Sequence, residues 1–218
     1  MRCVRIWFEK TGDAVFISHL DLQRCFIRAL RRARLDVAYT EGFHPHAHIN
    51  FAQPLPLGVA GLRESVDIKL SDDSITNSQI CEMLAAVMPG GVRVTAVADP
   101  MRKQKEIAFA QYKMNLLCRG DPAAWWRMIT AVESIPAHKT GKRGKQSFFD
   151  VKQYVFTAEF NCAARSDTAA IRVILPLGSA LNINPFTFLD ALRGVNEGFD
   201  ISDVTREKIL TGSRYGFT

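Results

Sequence analysis

Residues 18–34 read Ser-His-Leu-Asp-Leu-Gln-Arg-Cys-Phe-Ile-Arg-Ala-Leu-Arg-Arg-Ala-Arg. Leu22, Cys25, Phe26, Ala29, Leu30 and Ala33 recur at steps of three and four, which places them on one face of an α-helix. Arg24, Arg28, Arg31 and Arg32 fall on the opposite face, with Arg34 near its edge. Ser18 followed by Asp21 is a capping box with aspartate in place of the usual glutamate, so the helix is predicted over residues 19–34. Phe26 and Leu30 are then expected to lie under a sheet, opposite the arginines.

The segments on either side supply that sheet. Residues 2–8 alternate as a strand, which residues 14–17 are expected to resume after a Thr11-Gly12-Asp13 turn. Residues 36–39 and 48–52 read as extended segments around a Gly42/Pro45 turn, and residues 54–58 as a loop. Residues 65–70 form a third strand, and residues 75–88 a second helix that stops at Pro89-Gly90-Gly91. Residues 92–97 are a fourth strand. The order β-α-β-β-α-β is that of a ferredoxin-like unit.

The second half gives the same order. Strands are predicted at 111–118, 148–160, 169–175 and 201–210. Helices start near Asp121, with Pro122 in the first turn, and after Asn184 over residues 185–195. The expected fold is therefore α+β, two tandem ferredoxin-like units with antiparallel sheets. They cover residues 1–100 and 107–218, joined through the polar stretch 99–106. One continuous sheet is the alternative arrangement.

The 218 residues carry a net charge of +6, unevenly spread. Residues 1–50 sum to +3, 51–99 to −3, 100–146 to +7 and 147–218 to −1. Two basic blocks on a near-neutral background point to a polyanionic partner. No apolar run approaches a membrane span, and residues 1–10 lack the pattern of a signal peptide. A soluble, cytoplasmic protein with no membrane partner is expected. Cys3, Cys25, Cys81, Cys118 and Cys162 form no Cys-x-x-Cys pair, so no metal or cluster cofactor is expected.

Arginine forms forked bonds with phosphate and stacks on bases, and like charges at i,i+4 cost a helix stability, so a purely structural face gains nothing from such a stripe. The candidate RNA-binding residues are accordingly Arg24, Arg28, Arg31 and Arg32. Beside them, the loop after the helix offers Phe43 and Phe51 for stacking and His44, His46 and Asn50 for base or phosphate contacts. Lys142, Arg143 and Lys145 belong to a second basic cluster, in a Gly-rich loop that does not have P-loop spacing. His44, His46 and His48 would share one face of a straight strand and suit a metal, but Pro45 breaks the strand and no carboxylate or cysteine completes the set. His19 and Asp21 are explained by their place at a helix start and do not face one another around it. No catalytic constellation stands out.

Residues 10–58 also carry a resemblance. The Gly-Asp turn, Ser-His-Leu-Asp-Leu, the basic helix, Gly-Phe-x-Pro-His and Pro-Leu-x-Leu-Gly resemble an uncharacterised family encoded beside, or fused to, cobalamin-binding radical-SAM enzymes. The chain departs from that pattern at His44 and at Ala47-His48. The resemblance implies a radical-SAM enzyme as partner. The expected function is an RNA-binding or substrate-presenting partner without catalysis of its own. An RNA-processing or RNA-modifying enzyme using His19, His44 or His46 is one alternative, and a protein-interaction scaffold without RNA is another. The oligomeric state is left open.

Overall fold

The computed structural model describes residues 1–140, 146–178 and 181–218. The chain divides into two compact units, Met1–Ile107 with Gly216–Thr218, and Ala108–Tyr215.

The first unit runs β1 (Arg2–Lys10), α1 (His19–Arg32), β2 (Ile49–Phe51), β3 (Val59–Leu70), α2 (Asn77–Ala85) and β4 (Val92–Ala98). Its strands lie in the order β4-β1-β3-β2, and each neighbouring pair is antiparallel. The expected continuation of β1 over residues 14–17 is instead a short 3-10 helix, Gly12–Phe16. The reason lies in the turn: Thr11 N donates to the Gly91 carbonyl and Ile17 N to that of Ala14, which curls the chain away from the end of β1. A Cβ on Gly91 would lie 2.6 Å from the Thr11 carbonyl oxygen, and its φ is +81°, so this close approach requires glycine.

Strand alternation decides the two faces. Val4, Ile6 and Phe8 of β1, with Val66, Ile68 and Leu70 of β3, pack against Leu22, Phe26, Ala29 and Leu30 of α1. The predicted helix phase is the observed one. Phe26 is fully buried, with its ring 4.8 Å from that of Phe8 and 5.3 Å from that of Phe51. On the other face, Arg5 is 1% exposed. It forks onto both carboxylate oxygens of Asp67 at 2.7 and 3.0 Å, donates to the Thr218 and Arg102 carbonyls, and lies 4.2 Å over the Phe217 ring. Residues 216–218 are held by this guanidinium and by the Arg102 N–H, which donates to the Thr218 oxygen at 3.2 Å.

The second unit runs β5 (Ile107–Cys118), α3 (Pro122–Ala131), β6 (Pro136–Thr140), β7 (Gln146–Asp150), α4 (Lys152–Phe156), β8 (Glu159–Cys162), β9 (Thr168–Pro176), α5 (Pro185–Val195) and β10 (Phe199–Thr211). Its strand order is β10-β5-β9-β8, with β6 and β7 forming a separate antiparallel hairpin. The single strand expected over residues 148–160 is therefore β7, α4 and β8. Asp150 breaks it: its Oδ1 accepts from the backbone N–H of Ile135 and of Lys152, fixing a tight turn. Lys152, nearly buried, then donates to the Ile129 and Thr130 carbonyls at the end of α3. Trp125 is buried in this unit, and Trp126 stacks on Phe160 at 4.8 Å with an interplanar angle of 4°.

Candidate nucleic-acid interface

Ser18 opens α1 as expected. Its hydroxyl accepts from Asp21 N–H at 3.1 Å and donates to the Asp21 carboxylate at 2.7 Å. That hydroxyl bond first, and Arg24 second, hold the Asp21 carboxyl below the usual carboxylate range, so the cap is charged at neutral pH. The helix ends at Arg32, two residues before the predicted stop. Arg34 takes a left-handed conformation, φ +54°, and lets Leu35 N–H reach the Leu30 carbonyl and Arg34 N–H that of Arg31. This is the Schellman termination, with arginine in the position that glycine usually holds.

Arg24, Arg28, Arg31 and Arg32 are all exposed. Arg24 bonds Asp21 at 3.0 Å, Arg31 bonds the Tyr39 hydroxyl at 3.1 Å, and Arg32 donates to the Val87 carbonyl at 2.7 Å. Each of these bonds uses one of five guanidinium donors. Arg28 makes no hydrogen bond among the described residues.

After α1 the chain forms isolated bridges, Val37 to Leu70 and Tyr39 to Ala47, and these frame the 40–46 loop. Thr40 clamps that loop. Its hydroxyl accepts from His46 N–H and bonds His46 Nδ1 at 3.0 Å. Phe43 is fully exposed in this loop, and His44 and His46, which follow it, are exposed as well. The structure thus brings Phe43, His44 and His46 into one loop, joined to the arginine face through Tyr39.

Two candidates fall elsewhere. Asn50 lies on the opposite face of the sheet from α1. It pairs with Asp67 in register and exchanges hydrogen bonds with Gln104, which also reaches Asp67. Strand alternation forces this, because Ile49 and Phe51 on either side pack on the helix face. Phe51 is not a free stacking platform, since its ring contacts Phe8, Phe26 and His19. Lys142, Arg143 and Lys145 lie outside the described residues.

His19 sits with its ring 5.2 Å from Phe51 and makes no hydrogen bond among the described residues. Burial first, and Lys10 second, push its pKa below the ordinary imidazole value. Asp21, bonded to Ser18 and Arg24, is not its partner. Among the described residues no group of three or more His, Cys, Asp and Glu side chains is placed to hold a metal. Because folded His19 resists a proton that the unfolded chain accepts near pH 6.5, stability is full above that pH and falls as pH drops below it. Chemical denaturation between pH 7.5 and 5.5 is expected to show that decline, and His19→Gln to flatten it.

Among the described residues, the sheet of the second unit offers no comparable stripe. Arg172 of β9 forks onto Glu207 of β10 and also bonds Glu159 of β8, while Gln111 of β5 bonds Glu207. The Arg172 bond holds Glu207 below the usual carboxylate range. Arg119 is likewise paired with Asp200. These bases are matched to acids, as a self-sufficient surface would have them.

Residues 3–185 match a family described as an uncharacterized protein conserved in bacteria, DUF2344. The chain belongs to that family. DUF2344 covers all of the arginine face and the 40–46 loop, and most of the second unit. No curated protein matches the chain. Among solved structures, a chain of the "Crystal Structure of a Cbf5-Nop10-Gar1 Complex" has a similar fold, with a TM-score of 0.51 at 10% sequence identity. The match covers 94% of this DUF2344 chain and 48% of that one, so this chain spans about half the length of the solved chain it matches. Among the described residues no helix is long and apolar enough to cross a membrane.

Proposed function

We propose that this protein binds RNA through the outer face of α1 and the 40–46 loop, and serves as an RNA-binding or substrate-presenting partner of a radical-SAM enzyme. The observation that carries the reading is the exposed set of Arg24, Arg28, Arg31 and Arg32, with Asp21 as the one acid among them. Arg34 supports it. An arginine held in left-handed backbone beside the stripe, where glycine would be less strained, is a local cost that a binding role explains. The radical-SAM half rests on the resemblance of residues 10–58. A protein partner is further supported by Phe16, Leu20 and Leu57, large apolar side chains that are 72%, 62% and 59% exposed. The bond from Gly58 N–H to the Val15 carbonyl brings together the chain segments that carry Phe16 and Leu57. We also read the fold as two tandem ferredoxin-like units. Supporting this, each unit has its first strand between its third and fourth, and its second strand at the far edge.

The test is a salt titration of single-stranded RNA binding. Each neutralised phosphate contributes a slope of roughly 0.7 log units per tenfold rise in salt. Replacing Arg24, Arg28 and Arg31 together with glutamine is expected to flatten the slope by about 2 and leave the thermal melt in place. A folded triple variant with unchanged affinity and slope ends the proposal.

A further inference from the structure

Beside the arginine face, α1 and the segment 35–47 enclose a cleft of about 140 Å³. Leu30, Leu35, Val37 and Ala47, all nearly buried, make its walls together with Ile27. Its polar lining is Arg31, Tyr39 and Asp36. Arg31 and Tyr39 are bonded to each other and hold the mouth in shape. Asp36 is exposed, and its carboxylate has no hydrogen bond or ion pair among the described residues, although it lines the same cleft as Arg31.

These features differ from those of a phosphate site. Phosphate would be drawn to Arg31 and repelled by Asp36. A cleft this small is below the size that takes whole cofactors, which is roughly 300–1,000 Å³. Aliphatic walls, an aromatic and a guanidinium in the lining, and a carboxylate that can only accept hydrogen bonds fit one splayed-out base. The carboxylate matches an exocyclic amino group, as on cytosine N4.

We infer that this cleft receives one unstacked nucleobase of a single-stranded RNA whose phosphates lie along the arginines, with Asp36 accepting a hydrogen bond from the exocyclic amino group of the base. The inference rests on the RNA-binding reading above and adds base selectivity to it. Cytosine, adenine and guanine carry such an amino group and uracil does not, so an oligouridine is the weak ligand.

The experiment uses the full chain and labelled hexanucleotides of cytidine and of uridine, with binding followed by anisotropy at two salt concentrations. The cytidine strand is expected to bind roughly tenfold tighter, the lower end for a hydrogen bond to a charged group. The salt slopes are expected to be equal, because both strands carry the same phosphates. Asp36→Asn is expected to bring the two affinities within about twofold while retaining the slope. Equal affinities for the wild-type chain, at a normal salt slope, overturn the base cleft and leave the RNA surface standing. A preference that Asp36→Asn does not change also overturns it, because the selectivity then arises elsewhere. Absence of binding to either strand brings down both readings together. The wild-type comparison needs no substitution, so it holds even if the variant folds poorly.

Discussion

Replacing Arg5 by leucine is expected to lower stability by about 3–5 kcal/mol, the range for breaking a buried ion pair by removing one partner. The guanidinium is 1% exposed and all its hydrogen bonds are internal: two to Asp67, one to Thr218 and one to Arg102. Among the described residues, leucine leaves Asp67 with only the Gln104 bond, takes the donor from the Arg102 carbonyl, and leaves the Thr218 oxygen with only the Arg102 N–H, at 3.2 Å. It also removes the cation over Phe217. Residues 216–218 then keep the Arg102 N–H bond and the Trp7–Phe217 ring contact but lose the guanidinium, so the effect extends to them. Two measurements check this: urea denaturation for the stability, and hydrogen exchange for protection near Phe217. Arg5→Lys is expected to recover only part of the loss, since an ammonium cannot fork onto a carboxylate while also reaching two carbonyls. Full stability in the leucine variant would contradict this account of the tail.

Phe26→Ala is expected to cost a similar amount, about 3–5 kcal/mol, through a cavity rather than a broken network. The ring is wholly buried between β1, β2 and α1, against Phe8 and Phe51. Two aromatic neighbours packed from the sheet side cannot both collapse into the gap, so the cavity term stays large. For a chain of this length the melting temperature is expected to fall by roughly 10 °C. Phe26→Leu keeps most of the volume and is expected to lose less than half as much. An unchanged melt in Phe26→Ala would mean that α1 presents a different face to the sheet.

The two substitutions differ in how far the sequence foretold them. Phe26 was legible because a helix face is a local property: a 3.6-residue period fixes which side chains share a side. The same logic set the arginines outward and Ser18 at the cap. Alternation likewise revealed most strands, since side-chain direction in a strand depends on parity alone. Much of the motif-dense stretch 10–58 also has a structural explanation in these local terms. Ser18 caps α1, Leu22 and Leu55 are buried, and Gly42 and Gly58 hold positive φ.

What the sequence could not decide were relations between distant segments. Asn50 looked like a neighbour of the arginines because it follows them closely in the chain. Pairing of β2 with β3 turned it to the other face, toward Asp67 and Gln104. Phe51 looked like a free aromatic, yet three rings converge on it from β1 and α1. Residues 148–160 kept a strand-like composition, but Asp150 accepts from Ile135 N–H before β6 and Lys152 donates to the end of α3, and this breaks the strand into a hairpin arm, a helix and an edge strand. The role of Arg5 depended on Thr218, a contact across 213 positions that no periodicity encodes. By itself, then, the sequence determined the helix phase, the strand parity and the arginine stripe, because each follows from spacing along a few turns of chain. Tertiary structure alone decided that Asn50 and Phe51 turn away from the stripe, where the cleft opens and what holds residues 216–218. Those features depend on which strands pair, and pairing is settled by burial summed over the whole unit.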